Sequence, residues 1–419
     1  MKLAVIGGGS TYTPEVIDGI VRLRDLLPVD DVWLHDTDPQ RLAVVAGLAR
    51  RMLSRAGHPA RIETTQRLED AVEGAEAVLI QIRVGGQAAR RVDESVPLAC
   101  GCMGQETTGF GGLAKALRTV PVVLDIAERA RRLSPDAWIV DFTNPVGIVT
   151  KALLDEGHKA VGLCSAAMVF QRHFAKVLDV DPQRIELDHL GLNHLTWEVG
   201  VRLDGDDALS RLLDAEHVER VARATGLPAD LVARLGTVPS YYLHYFYEHD
   251  LVVDEQRHSR SRAEIVTDIE RELLHLYADE QLAEKPELLK ERGGAGYSEA
   301  AVELIASLIG SAGEGRHVIN LRNDGALPFL ADDAVVEVPA NVSRDGVRAA
   351  ELPQLGALER GLVAHVSAYE ELALDAALRG GRERVFRALL AHPLVGQADV
   401  AERLTDLMLE KNKRFLTWA

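Results

Sequence analysis

Three sets of residues in this chain have types and spacings suited to chemistry. The first is KLAVIGGGSTYTPEVIDGIV, where an apolar run from Leu3 to Ile6 ends in Gly7, Gly8, Gly9 and Ser10 ahead of a helix opened by Pro14. Glycine lets the backbone approach a diphosphate, and the free N–H groups at the start of the next helix favour its charge. The dinucleotide fingerprint requires a third glycine where this chain has Tyr12, so the loop is a partial match. The next strand, DVWLHDTD, carries Asp36 at its carboxyl end, where an acid binds the adenosine ribose hydroxyls. Strand, glycine turn, helix and acid together predict a dinucleotide cradle.

The second set lies at later strand ends. AEAVLIQIRVGG ends at Arg83 before a glycine turn, DAWIVDFTNPVG ends at Asn144 and Pro145, and KAVGLC ends at Cys164. In a βαβ succession these carboxyl ends face one crevice. Between them, GQETTGFGG precedes a long helix whose N-terminus is suited to an anion or a nicotinamide ribose, although a mobile lid has the same composition. The third set is less regular. GLNHLTW puts Asn193, His194 and Trp197 into an otherwise amphipathic strand, where a lone histidine is more often a core residue than a ligand. PSYYLHYFYEHD holds five of the sixteen Tyr and Phe residues and sets Tyr242 and Tyr245 on one helical face. Arg260 and Arg262 lead one helix, and Arg292, Gly293 and Gly294 precede another; arginines there clamp a phosphate or pair with acidic neighbours.

The elements that must position these residues follow from pattern and composition. With 419 residues and 47% hydrophobic content, the chain can build two or three domains' worth of core. Strands and helices alternate up to about Arg172, after which antiparallel alternation and polar helical segments take over. We therefore expect a Rossmann NAD-binding domain over 1–170 and a mixed α/β domain over 171–419, with the site between them. A formal charge of −17 argues against nucleic acid or an anionic membrane as partner. With no apolar leader and only Cys100, Cys102 and Cys164, a cytoplasmic protein without a disulfide framework is expected.

The ordered motifs GGGSTYTP, HDTDPQR, IRVGG, GQETTGFGG, DFTNPVGI, GLC, GLNHLTW, YYLHYFY, ERGGAGYS, NDGALPFLADDAVVEVP and AHPLV closely resemble the NAD- and metal-dependent glycoside hydrolases of family 4. GQETTGFGGLAKALRTVP and YLHYFY are most similar to the 6-phospho-β-glucosidases. The resemblance implies a C-terminal half like that of lactate and malate dehydrogenases, and a dimer or tetramer. It also implies redox elimination in place of a carboxylate pair. NAD takes hydride from sugar C3, a base removes the acidified C2 proton, the C1–oxygen bond breaks, water adds, and the hydride returns. Carried over residue by residue, Gly7, Gly9, Ser10, Thr11, Asp36 and Arg41 hold NAD, and Cys164 and His194 ligate manganese or another divalent metal. Tyr242 is the C2 base, with Tyr245 as alternative; a nearby cation would lower its pKa. Arg83, Asn144, Asn193, Arg262 and Arg292 fall to the substrate.

Two departures stand out. The family reads Asn-Val-Pro or Asp-Met-Pro after the ligand cysteine, whereas this chain reads Ser165, Ala166 and Ala167; and His244 replaces the usual arginine of the 6-phospho-β-glucosidases. They leave open an unphosphorylated or α-linked glycoside. A sugar dehydrogenase or a non-catalytic NAD-binding sensor are the readings from other classes.

Overall fold

The computed structural model describes residues 1–293 and 297–418; the expected turn at Gly294 lies outside them. Six short strands, β1 (Lys2–Ile6), β2 (Asp31–His35), β3 (Arg61–Thr65), β4 (Ala77–Ile80), β5 (Trp138–Asp141) and β6 (Ala160–Gly162), pair in parallel in the order β3-β2-β1-β4-β5-β6. This is the doubly wound order whose direction reverses between β1 and β4, and it opens a crevice above their carboxyl ends. β4 and β5 are buried along their whole length because helices cover both faces. β4 ends at Ile80, β5 at Asp141 and β6 at Gly162, so Arg83, Asn144 and Cys164 stand on the loops beyond the strands. The apolar pattern runs past the last ladder hydrogen bond, which is why it places these strand ends late.

The same sheet continues through β7 (Ile185–Leu192), β8 (Leu195–Leu203), the short β9 (Asp206–Asp207) and β10 (Val238–Pro239), then β11 (Gly315–Arg322), β12 (Val335–Ser343) and β13 (Gly346–Ala349). Beyond β6 the order is β11, β12, β7, β8, β10, all antiparallel. GLNHLTW is therefore the turn of a hairpin and not the middle of one strand. Leu192 pairs with Leu195, and His194 takes φ 63°, a left-handed conformation for which Asn-Gly would be the usual sequence signal. No helix among the described residues is long and apolar enough to cross a membrane.

Local capping sets the helices around the crevice. Asp38 accepts from the N–H groups of Gln40 and Arg41 at the start of helix Pro39–Arg55. Ser261 and Glu264 form a capping box on helix Arg262–Ala278, which holds Arg262 at its first turn. A buried pair ties three further helices together: Arg118 donates to both oxygens of Asp93 at 2.9 and 2.6 Å and to Asn412 Oδ1 at 2.7 Å. Arg118→Met is expected to lower the unfolding free energy by about 3–5 kcal/mol, because Asp93 is left buried and unpaired. In denaturant titration the double replacement Asp93→Leu with Arg118→Met should cost less than that single change.

Candidate active site

One cleft of about 1140 Å³ runs along the carboxyl ends of the parallel strands. At one end the glycine loop packs down hard. A Cβ on Gly8 would lie 2.7 Å from Leu34 Cβ, and one on Gly9 2.8 Å from Asp36 Oδ2. Asp36 holds this loop through Oδ2, which accepts Gly9 N–H at 2.8 Å, while Oδ1 accepts Asp38 N–H at 3.0 Å. Arg41 donates to Gly9 O at 3.3 Å. Gly7, Gly9, Ser10, Asp36 and Arg41 all line the cleft. Thr11 does not: its side chain is fully buried beneath the loop, and its carbonyl accepts from Tyr277 Oη at 2.7 Å. Tyr12, in place of the third glycine, packs beneath Arg292, whose guanidinium lies 5.4 Å from the ring centroid.

Arg83, Asn144, Cys164, His194, Tyr242, Arg262 and Arg292 also face this cleft. Cys164 stands two residues past the end of β6, and Ser165 after it precedes helix Ala166–Leu178; Ser165 and Ala166 line the cleft while Ala167 is buried away from it. The pairing of β10 with β8 sets the aromatic segment beside the hairpin turn, so that Tyr242 stacks on His194 with ring centroids 3.6 Å apart. Tyr245 and His244 turn away from the cleft and pack on each other at 3.9 Å, with His244 Nδ1 bonded to Tyr241 O. His244 therefore supplies no donor to the cleft. Asn193 stands behind Cys164 and donates to Glu337 Oε2 at 2.8 Å.

The donors fit a divalent metal. Thr107 Oγ1 gives its proton to Gln105 Oε1 at 2.7 Å, so His194 Nδ1, 2.7 Å from the same oxygen, must be the N–H donor of that contact. Its Nε2 lone pair is then free for a metal, in the tautomer that ligating histidines use. Burial pulls His194 down to about 4, keeping it neutral. Burial and the Glu337 carboxylate push the Cys164 thiol up, so a metal binding there must displace a proton. Among the described residues no group of three or more His, Cys, Asp or Glu is placed to hold an ion. Two donors with open positions suit a catalytic site better than a structural one. The Tyr242 phenol is pushed well up by burial and then by Cys164, Tyr245 and the carboxylates of Glu106 and Glu337. No side-chain cation is among the largest influences on it.

Several residues at the site carry no clear mark in the sequence. Glu106 is surrounded by Arg83, Arg90 and Lys115, and although burial opposes its charge these cations hold its pKa well below the usual carboxylate range. Lys115 is pulled down to about 7 by burial and by Arg83. Glu270 takes Arg292 and Arg41. Glu106 sits in a glycine-rich loop that shows no charge pattern. Glu337 had a usable signal: it is the one acid in the apolar strand VVEVPANVS.

The N-terminal model of the family described as "Family 4 glycosyl hydrolase" matches residues 2–180, and the model of its C-terminal domain matches 189–395. This chain belongs to family 4 of the glycosyl hydrolases. The hydrolase is 38% identical over 431 residues to a probable 6-phospho-beta-glucosidase of Bacillus subtilis, covering 99% of this chain and 97% of that one. Its fold matches the crystal structure of the 6-phospho-beta-glucosidase from Thermotoga maritima with manganese, NAD+ and glucose-6-phosphate, with TM-score 0.91, 31% identity and 99% of both chains covered. The lactate dehydrogenase of Cryptosporidium parvum shares the fold alone, with TM-score 0.58 and 14% identity over 91% of this chain and 98% of that one. In this family 4 hydrolase, Thr107→Val removes the acceptor that orients His194. Isothermal titration is expected to show Mn²⁺ affinity falling roughly 10- to 100-fold with NAD affinity unchanged.

Proposed function

We propose that this chain hydrolyses 6-phospho-β-glucosides to glucose 6-phosphate and the aglycone, by NAD-dependent oxidation at C3, deprotonation at C2, elimination and addition of water. The observation that carries this reading is the cleft itself, in which a glycine loop, the donors Cys164 and His194, and a tyrosine stacked on His194 share one space. Its acidic side chains, Asp36, Glu106 and Glu270, offer no two-carboxylate alternative. Asp36 accepts the N–H groups of Gly9 and Asp38. Glu106 and Glu270 are held below the ordinary range by arginine and lysine neighbours despite burial, so neither is a carboxylic acid kept protonated for a leaving group.

The glycine loop would hold NAD, which would supply the hydride acceptor for C3, and Cys164 and His194 would hold a divalent metal, which would polarise the sugar oxygens and lower the pKa of the Tyr242 phenol. Tyr242, as its phenolate, takes the C2 proton next to the ketone, and the C1–oxygen bond breaks with its electron pair leaving on the aglycone oxygen. Thr107 keeps the His194 ring in place, and Asn193 fixes the loop behind Cys164. Arg83 is paired with Glu106 and Arg292 with Glu270, whereas Arg262 donates to Glu291 O at 2.7 Å and forms no ion pair among the described residues. Arg262 is thus the arginine best placed to take the 6-phosphate. The same proposal assigns NAD to residues 1–170 and the substrate and metal chemistry chiefly to 171–419, in a cytoplasmic homo-oligomer, dimer or tetramer.

Cys164→Ser and His194→Ala are each expected to abolish Mn²⁺-supported turnover of an aryl β-glucoside 6-phosphate while NAD affinity is largely kept. Turnover at the wild-type rate in either variant, or net NADH release by the native enzyme, would count against the mechanism. In a panel of α- and β-glycosides with and without the 6-phosphate, the phosphorylated β-anomer should be preferred. Arg262→Ala should raise its KM about 10- to 100-fold, the range of one charge-assisted hydrogen bond. Unchanged KM in that variant would place the phosphate elsewhere.

A further inference from the structure

Cys164 and His194 come from strands that are not neighbours: β11 and β12 separate β6 from β7, roughly 14 Å of sheet at the usual strand spacing. One row crosses that gap. Gly162 of β6 is opposite Asn320 of β11, Asn320 is opposite Glu337 of β12, and Glu337 is opposite Gly191 of β7. Cys164 lies two residues beyond one end of the row and His194 three beyond the other.

The two polar side chains on this row, Asn320 and Glu337, join His189, Asn193 and Glu198 in one buried network. Glu337 Oε2 accepts from Asn320 Nδ2 and from Asn193 Nδ2, each at 2.8 Å. Glu337 Oε1 meets His189 Nε2 at 3.0 Å, and His189 Nδ1 meets Glu198 Oε1 at 2.6 Å. His189, Glu198 and Glu337 are 0%, 0% and 1% exposed. A register shift between Asp188 and His189 sets His189 directly opposite Glu198, skipping Val199 and turning the ring into the network. Asn193 links the network to the site, because it binds Glu337 and also reaches the Cys164 sulfur.

We propose that His189, bridging Glu198 and Glu337, is a positioning residue for the metal site: it fixes the Glu337 carboxylate, which through Asn193 and Asn320 sets the separation and aim of Cys164 and His194. The inference rests on the reading of those two residues as metal ligands. A buried ionic chain is costly compared with apolar packing, so stability alone does not account for it. Removing it from beneath a two-ligand site should weaken the metal selectively, as loss of outer-shell partners does. The two carboxylates hold His189 protonated, up to about 10, despite burial, so both ring nitrogens donate and the bridge is held from both sides.

The test measures Mn²⁺ affinity by electron paramagnetic resonance, with NAD affinity and thermal stability measured in parallel, on the full chain. His189→Gln is expected to weaken Mn²⁺ roughly 10- to 100-fold while NAD affinity changes less than about twofold. Asn193→Ala cuts the link without removing a buried charge, and the same selective loss is expected there even if His189→Gln does not fold. Wild-type Mn²⁺ affinity in Asn193→Ala or in folded His189→Gln, or equal losses of metal and NAD affinity, would overturn the proposal. Cys164→Ser serves as the reference. If native enzyme and Cys164→Ser bind Mn²⁺ alike, the ligand assignment itself fails, and the positioning role fails with it.

Discussion

Glu337 lies on β12, 1% exposed, with one oxygen on His189 and the other on Asn193 and Asn320. A carboxylate buried this deeply survives only when its lone pairs are met by donors. Those donors come from β7, β11 and the β7–β8 turn, so the constraint couples the antiparallel half of the sheet to the loop that follows β6. The same charge faces Cys164, His194 and Tyr242. The sheet's continuity across β6 and β11 is what lets a parallel dinucleotide fold and an antiparallel hairpin share one cleft.

Charge on the other wall is handled by sharing two carboxylates among the cations. Glu106 sits among Arg83, Arg90 and Lys115, and Glu270 between Arg41 and Arg292. Each carboxylate lowers the cost of keeping cations in a partly closed cleft, and each cation denies that carboxylate the role of a proton donor. On the proposed reading the base is the Tyr242 phenol, and a phenol among acidic neighbours needs the charge of a metal to act as a base near neutral pH.

Much of this was legible from local pattern. The βαβ succession, the glycine loop and Asp36 follow from runs of apolar residues punctuated by turn residues, and these are short-range properties of the chain. The hairpin at GLNHLTW was not, because its turn uses His194 in a left-handed conformation where the usual signal is Asn-Gly. Thr11 was drawn into the cofactor site by its place in a motif, yet the helix start turns its side chain inward. Tyr242 and Tyr245 share a helical face in the sequence, and only the pairing of β10 with β8 decides that Tyr242 is the one stacked on His194.

By itself the sequence determined the fold class, the family and the types of residue available for chemistry, since each of these is written in periodicity and in motifs a few residues long. Tertiary structure alone decided which of those residues meet. Glu106 is a lone acid in a glycine-rich loop until three cations from separate segments close on it. Glu337, Asn320 and His189 are lone polar residues in apolar strands until the sheet sets them side by side. Interactions between positions as far apart as 189 and 337 depend on strand order and register, which are settled by the packing of the whole chain and carry no local signature.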